Sequence, residues 1–305
     1  MSEFLRSIFG SSGKADPEDS ASLESSNLPT QPYNSQPGSR YPPKMTAFRN
    51  PYTVGIGNSI GLQREHNEDA LFAMTTNMVS NNISLPIGLY IVADGMGGHL
   101  HGEKASEVAV HAMASSVLSN LFSFTVDNPN EEREESIQEL MEEGMRSAHQ
   151  AILQQAPGGG STLTGLLILQ DQMTIAHIGD SRAYQIDPER DVQVLTTDHS
   201  LVKRLQDLGQ ITSDEAAIHP QRNVLYRALG QAEPIDAEVI TSPVPSSGYL
   251  MLCSDGLWGV VSDNEMVKII TTAVSPQEAS QKLLEAANTA GGPDNISVII
   301  IEIPD

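Results

Sequence analysis

The sequence has 305 residues, and 39 acidic against 17 basic side chains give it a formal charge of −22. Because this negative potential repels the phosphates of nucleic acids, a DNA- or RNA-binding role is disfavoured. Cys253 is the single cysteine, so an internal disulfide and a thiolate zinc cluster are both excluded.

Residues 1–50 are predicted to form a disordered tail ahead of the folded part of the chain. From Ser11 to Pro43 the sequence is rich in Ser, Pro, Gly, Asn and Gln, and such a composition cannot offset the entropy lost on ordering. An alternative for the first ten residues is a short amphipathic helix with Phe4, Leu5, Ile8 and Phe9 on one face. The chain lacks an apolar run of the ~18 residues that cross a bilayer, and its start lacks a secretory-signal layout. We therefore expect a cytoplasmic protein with no transmembrane segment.

Residues 51–305 have the pattern of one domain that mixes strands and helices. Apolar runs of strand length predict β-strands at Ile87–Ala93, Leu163–Leu169, Thr174–Ile178, Tyr249–Cys253 and Ile296–Ile303. Apolar side chains at helical spacing predict helices at Glu103–Phe122, Glu131–Ala156 and Pro276–Thr289. Strands in consecutive groups, with a helical pair inserted between them, indicate antiparallel sheets covered by helices, an α+β fold.

Five short segments place an aspartate beside a Gly- or Asn-containing turn at a strand boundary: Asn67-Glu68-Asp69, Asp94-Gly95-Met96-Gly97-Gly98, Gly179-Asp180-Ser181, Ser254-Asp255-Gly256 and Pro293-Asp294-Asn295. One such pair is an ordinary turn. Several carboxylates at the ends of neighbouring strands instead need cations to compensate their repulsion. Oxygen ligands of this kind favour Mg²⁺, Mn²⁺ or Ca²⁺ over Zn²⁺.

Phosphate ester hydrolysis is the reaction that such a site predicts. Two ions about 4 Å apart convert a bridging water to hydroxide near neutral pH and stabilise the entering and leaving oxygens. Because Gly95 has no side chain, its carbonyl oxygen can reach the ion that Asp94 holds. Arg64 offers planar donors for the phosphate of the substrate, although a surface arginine is the alternative reading.

Six ordered motifs resemble those of the type 2C, or PPM, metal-dependent serine/threonine protein phosphatases: Gly61-x-x-Arg64-x-x-Asn67-Glu68-Asp69, Asp94-Gly95-Met96-Gly97-Gly98, Gly160-Ser161-Thr162, Gly179-Asp180-Ser181-Arg182-Ala183-Tyr184, Ser254-Asp255-Gly256-Leu257-Trp258 and Asp294-Asn295-Ile296-Ser297. The resemblance extends from Tyr52 to the C-terminus, and the Asp-Gly-Met-Gly-Gly form is similar to the bacterial branch. It implies a four-layer α/β/β/α sandwich of two antiparallel sheets flanked by helix pairs. The implied activity is hydrolysis of phosphoserine and phosphothreonine in proteins, which reverses serine/threonine kinase signalling.

The resemblance also assigns roles by position. Asp94, Asp255 and Asp294 would hold the first Mn²⁺ or Mg²⁺. Asp94 and the Gly95 carbonyl would hold the second, with Asp69 contacting its water shell, so that Arg64, Asp69 and Asp94 form the catalytic set. Asp180, together with Asp255, is a candidate for a weaker third ion or else a structural turn. The segment 199–230 is similar to the family's mobile flap beside the active site.

Two departures leave the general acid unassigned and the third ion uncertain. Met96 stands where many eukaryotic relatives have a histidine, and Gly259 stands where they have an aspartate. His99 and His101 are nearby alternatives as proton donors, and a metal-bound water is the preferred one. Cys253, inside a predicted strand, is interpreted as core filling rather than as a nucleophile.

We expect phosphorylated proteins as partners, with a serine/threonine kinase and its substrates as candidates, and a monomer. Two alternatives to a protein phosphatase remain open from the sequence. A catalytically silent relative would serve as a phospho-dependent binding module, but the retained aspartates argue against it. A hydrolase of small phosphate esters would use the same metal ligands, because substrate choice depends on loops.

Overall fold

Two antiparallel sheets organise the chain. A computed structural model describes residues 52–80, 83–97, 100–126, 137–187, 189, 192–231 and 234–304. The first sheet has the order β1-β11-β10-β7-β8: β1 Thr53–Ser59, β7 Arg182–Ile186, β8 Val192–Val194, β10 Gly248–Cys253 and β11 Ile296–Ile303. The second sheet has the order β2-β3-β5-β6-β9, with β4 paired to β3: β2 Asp69–Ser80, β3 Ile83–Met96, β4 Gly160–Ser161, β5 Leu163–Leu169, β6 Gln172–Ile178 and β9 Glu238–Pro243.

Seven helices lie within the described residues: α1 Leu100–Val126, α2 Ile137–Gln155, α3 Leu201–Asp207, α4 Ser213–Ala217, α5 Asp255–Trp258, α6 Asp263–Thr272 and α7 Pro276–Thr289. None of these seven is long and apolar enough to cross a membrane. The segment 199–230, which the sequence likens to a flap, contains α3 and α4. It is attached at its ends by bridges between Ser200 and Leu225 and between Ser161 and Leu229.

Three apolar layers alternate with the sheets. In the first, α1 and α2 pack on the second sheet, and Met113, Met141 and Leu167 belong to one buried cluster. The middle layer lies between the two sheets, where Tyr90 and Leu252 are fully buried. In the third layer, α6 and α7 cover the outer face of the first sheet. The predicted α/β/β/α sandwich is therefore confirmed.

The central strands have both faces covered, by the other sheet and by helices. This is why β5 and β11 are nearly continuous apolar runs instead of alternating polar and apolar residues, and why they could be recognised from the sequence. All five predicted strands are present, as are the helices at 103–122 and 276–289. The predicted helix start at Glu131 and the predicted tail, 1–50, lie outside the described residues, and α2 is described from Ile137.

Candidate active site

Asp69 and Asp94 come from neighbouring strands of the second sheet. Asp69 is the first residue of β2 and lies directly opposite Asp94 of β3. Thr162 fixes the Asp94 backbone from the other side: the Asp94 N–H donates to Thr162 Oγ1 over 2.9 Å, and the Thr162 N–H donates to the Asp94 carbonyl over 2.9 Å. Asp94 is therefore held between two strands, with its carboxyl group at the end of the sheet.

Asp255 and Asp294 reach the same place from the first sheet. Asp255 begins α5 just after β10, and Asp294 lies two residues before β11. The carboxyl groups of Asp94 and Asp255 lie close enough to act on each other electrostatically. Asp69 begins its strand and Asp294 lies just before its strand, whereas Asp94 lies near the end of its strand and Asp255 just after its strand. Antiparallel neighbours place the start of one strand beside the end of the next, so all four carboxyl groups meet at one end of the sandwich.

Burial and mutual repulsion raise the pKa values of Asp69, Asp94 and Asp255, which together with Asp294 we define as the carboxylate cluster. Burial raises the pKa of Asp69 to about 7, against the opposing effect of a hydrogen bond from Ser254. Burial, then repulsion by Asp294, raises the pKa of Asp255 to about 6. The pKa of Asp94 is raised well above its usual range by burial and then by repulsion from Asp69. The cluster thus resists full ionisation unless positive charge is supplied.

Arg64 supplies one such charge. Its guanidinium donates to Asp294 Oδ2 over 2.7 Å, and the arginine side chain is 47% exposed. This contact, with burial opposing it, raises the pKa of Arg64. Arg64 therefore lies beside the cluster with part of its surface open to solvent, as the predicted phosphate-binding role requires.

The cluster has the donor chemistry of a divalent-cation site. Oδ1 of Asp69 and Oδ1 of Asp255 are buried and have no hydrogen-bond partner within the described residues. In the same part of the chain, no three His, Cys, Asp or Glu side chains are already arranged as a metal-ligand set. The Arg64–Asp294 ion pair and the hydrogen bond from Ser254 to Asp69 Oδ2 occupy other oxygens of the cluster. Buried, unpartnered carboxylate oxygens fit hard cations such as Mg²⁺ and Mn²⁺.

Position 95 requires glycine because the backbone of neighbouring segments approaches it too closely for a side chain. A Cβ atom at Gly95 would lie 2.1 Å from the Gly102 carbonyl oxygen and 2.7 Å from the Glu68 carbonyl oxygen. The Gly95 N–H also donates to that Glu68 carbonyl over 3.0 Å. The loop before β2, the end of β3 and the start of α1 thus converge on this glycine, next to Asp94.

Asp180 lies near the cluster and is nearly fully buried, with 6% exposure. Its pKa is raised by burial first and by repulsion from Asp255 second. Its backbone carbonyl accepts a hydrogen bond from Trp258 Nε1 over 3.0 Å, and the Arg182 guanidinium lies 3.6 Å from the centre of the Trp258 ring. Asp180 is accordingly both a fixed part of a turn and a carboxylate close to Asp255.

Two site residues, Asn295 and Ser254, have roles that sequence reasoning missed. The Asn295 amide donates to the carbonyls of Ile60 and His66, each over 2.9 Å, and its oxygen accepts from the Glu68 N–H over 2.8 Å. It therefore organises the loop that carries Arg64. Both residues stand next to a predicted metal ligand in the sequence, and this adjacency is the signal that could have identified them.

The remaining candidates from the sequence are Cys253 and the residues considered in connection with the general acid. Cys253 is fully buried in the layer between the first sheet and its helices, so its interpretation as core is confirmed. His101 is exposed on α1, and His99 lies outside the described residues. Met96 Sδ accepts a long hydrogen bond of 3.6 Å from Gln231. The general acid stays unassigned.

The chain is similar in sequence to known protein phosphatases. The family model described as protein phosphatase 2C matches residues 55–296. The serine/threonine phosphatase stp of Listeria monocytogenes is 35% identical over 242 residues, which are 79% of this chain and 92% of the relative. The protein phosphatase PhpP of Streptococcus pneumoniae is 36% identical over 251 residues, 82% of this chain and 97% of the relative.

The fold is also similar to solved structures of serine/threonine phosphatases. The serine/threonine phosphatase PstP/Ppp of Mycobacterium tuberculosis superposes with a TM-score of 0.67 at 30% identity, covering 83% of this chain and 99% of that one. A structure of the PstP catalytic domain in complex with two manganese ions superposes with a TM-score of 0.67 at 28% identity, with coverage of 83% and 99%. The chain belongs to the protein phosphatase 2C family of metal-dependent serine/threonine protein phosphatases, in its bacterial branch.

Proposed function

We propose that this chain hydrolyses phosphoserine and phosphothreonine in proteins with two divalent cations, Mn²⁺ or Mg²⁺, bound at the carboxylate cluster. The observation that carries the proposal is the convergence of four aspartates from both sheets, with buried carboxylate oxygens that have no partner in the described residues. Family membership supports a metal-dependent phosphatase, and the two manganese ions of the PstP structure support the number and kind of ion.

The proposed role of each ligand is the one that the resemblance to the family implies. Asp94, Asp255 and Asp294 would hold one ion, and Asp94 with the Gly95 carbonyl would hold the other, with Asp69 at its water shell. Asp180 and Asp255 are candidates for a third, weaker ion. The cations would supply the Lewis acidity that activates water for attack and neutralises charge on the phosphate.

The protein itself binds and orients the substrate. Arg64 would pair with the phosphate oxygens, because its guanidinium is partly exposed and already lies beside Asp294. Asn295 holds the loop that presents Arg64. Removing either group would lower the occupancy of the productive substrate orientation without removing a metal ligand.

Several finer statements stay predictions. These are the domain boundaries at 51 and 305, the flap role of 199–230, the monomeric state, the cytoplasmic location and a serine/threonine kinase as partner. Reversal of kinase signalling follows from the proposed substrate class, because a phosphatase removes the group that a kinase adds.

Phosphate release from a phosphothreonine peptide tests the proposal. The wild-type chain should release phosphate with Mn²⁺ or Mg²⁺ and fall to background with chelator, while Asp255→Ala should stay near background with either ion. The same peptide with phosphotyrosine in place of phosphothreonine serves as the control for substrate class. Wild-type release that persists in chelator would contradict the metal-dependent mechanism.

A further inference from the structure

Ser254 occupies a helix N-cap position without capping the helix. It precedes α5, and its side chain makes no capping hydrogen bond. At four other helix starts the hydroxyl of the cap residue accepts a backbone N–H, which is the usual role of Ser and Thr at this position: Ser200, Thr212, Ser262 and Ser275. The Ser254 hydroxyl is therefore committed to a different partner.

That partner is Asp69. Ser254 Oγ donates to Asp69 Oδ2 over 2.7 Å and accepts from the Ser297 N–H over 2.9 Å. A hydroxyl has one proton, and the Ser297 N–H occupies an acceptor lone pair, so the proton is free to be given to the carboxylate. Ser254 is fully buried, which excludes solvent as a competing partner.

The hydrogen bond also crosses between the two sheets. Ser254 and Ser297 belong to the β10–β11 end of the first sheet, and Asp69 begins β2 of the second. The bond to Oδ2 restrains rotation of the Asp69 carboxyl group, and its buried Oδ1 is left without a partner in the described residues. The free oxygen belongs to the same cluster as Asp255 and Asp294, both of which act electrostatically on Asp69.

We propose that Ser254 is a positioning residue for the metal centre: it fixes Asp69 through Oδ2 so that Oδ1 is presented to a divalent cation or to its water shell. This inference rests on the proposed function, since it assumes that the cluster binds cations. Ser254 contacts neither substrate nor cation in this account and acts through Asp69. Its loss therefore weakens cation binding while leaving all the carboxylates in place.

Binding of Mn²⁺ to the full chain, measured by titration calorimetry without substrate, tests the proposal. Ser254→Ala should raise the Kd of the affected Mn²⁺ site about tenfold or more, because partners of metal ligands typically contribute 10–100-fold to affinity. In an Asp69→Ala background, the same serine substitution should change the Kd by less than about twofold, because the shared partner is gone. Should Ser254→Ala not fold, Ser254→Cys has similar size and a much weaker donor.

Ser262→Ala is the matched control, because it removes a serine that does cap its helix, through the Glu265 N–H. It should lower the melting temperature and leave the Mn²⁺ Kd unchanged. A wild-type Kd in Ser254→Ala, or an equal loss with and without Asp69, would overturn the positioning role alone. A wild-type chain that binds no Mn²⁺ would overturn this role together with the proposed function.

Discussion

Asp69 and Asp94 are direct partners in the antiparallel ladder between β2 and β3. Side chains placed in this way have Cβ atoms about 4.5–5.5 Å apart, and like charges there are destabilising. Repulsion from Asp69 is, after burial, the largest cause of the raised pKa of Asp94. The register of the sheet thus builds a site that is unfavourable until positive charge is bound.

Replacing Asp94, the ligand that both proposed ions share, should lower activity without lowering the stability of the metal-free protein. Asp94→Ala is expected to lower kcat/KM on a phosphothreonine peptide by roughly a thousandfold or more, the equivalent of about 4 kcal/mol of lost transition-state stabilisation. In chelator its melting temperature should equal or exceed that of wild type, because a repulsive buried carboxylate is gone. Asp171→Ala, at an exposed turn between β5 and β6, is the control and should keep full activity. Activity of Asp94→Ala within tenfold of wild type would refute its role.

Gly95→Ala should damage the site through backbone contact. The added Cβ would meet the Gly102 carbonyl oxygen at 2.1 Å, and neither backbone can yield locally. We expect a loss of about 3 kcal/mol in the free energy of unfolding, as for overpacked positions, with loss of Mn²⁺-dependent activity. Gly158→Ala is the comparison: nothing lies within 4 Å of its Cβ, but its φ is +88°. It should cost about 1 kcal/mol from backbone strain and retain activity. Equal effects in urea unfolding would argue against the close-approach explanation.

Asn295→Ala should weaken substrate binding more than metal binding. The substitution removes the hydrogen bonds that Asn295 makes with the Ile60 and His66 carbonyls and with the Glu68 N–H, which loosens the loop that carries Arg64. We expect KM for the phosphopeptide to rise about tenfold, or about 1.4 kcal/mol, with a near-normal Mn²⁺ Kd. In an Arg64→Ala background the KM effect should largely disappear. Additive effects of the two substitutions would show that Asn295 acts elsewhere.

Metal should stabilise the fold more strongly as pH rises. The folded, metal-free protein has pKa values of about 7 for Asp69 and about 6 for Asp255, above the ordinary value near 3.8. A raised carboxyl pKa leaves stability intact below pH 3.8 and lowers it as pH rises through the folded pKa. The difference in melting temperature between Mn²⁺ and chelator should therefore grow from pH 5 to pH 8. An increment that is constant over this range would contradict the assignment of these carboxyls to the site.

Deletion of residues 1–50 should leave turnover of a small aryl phosphate unchanged within about twofold. The described fold begins at Tyr52, which is 8% exposed and packs between the sheets, so it must be retained. The match to the family begins at residue 55. Loss of small-substrate turnover in the truncated chain would show that the N-terminal residues contribute to the domain. Comparing the turnover of a phosphoprotein by the truncated and the full chain would isolate any role of residues 1–50 in substrate choice.

The sequence predicted the buried strands because their apolar runs are almost uninterrupted. It missed β1, β2, β4, β7, β8 and β9, which are short or interrupted by polar residues. It also missed α3, α4 and α5, which contain too few turns for periodicity to be visible, and α6, whose buried Met266, Val267 and Ile270 lie at helical spacing. The four carboxylates were found because each stands beside a turn residue at a strand end. Their convergence depends on strand order, which spacing alone does not give.

The supporting contacts could not be predicted in the same way. Ser254 bonds Asp69 across 185 positions of sequence, and Asn295 bonds Ile60 across 235. The first contact follows from how the two sheets are stacked, and the second from the antiparallel pairing of β1 with β11. Neither follows from a local pattern. A serine before Asp255 indicates an ordinary helix cap, and only its missing capping bond reveals a different role.

Anomalous scattering from crystals grown with Mn²⁺ tests the central claim most directly, because it locates the ions independently of activity. The account predicts two strong peaks at the end of the sandwich, with Asp94 contacting both, Asp255 and Asp294 at one, and the Gly95 carbonyl at the other. Peaks elsewhere on the protein with none at the carboxylate cluster would contradict it.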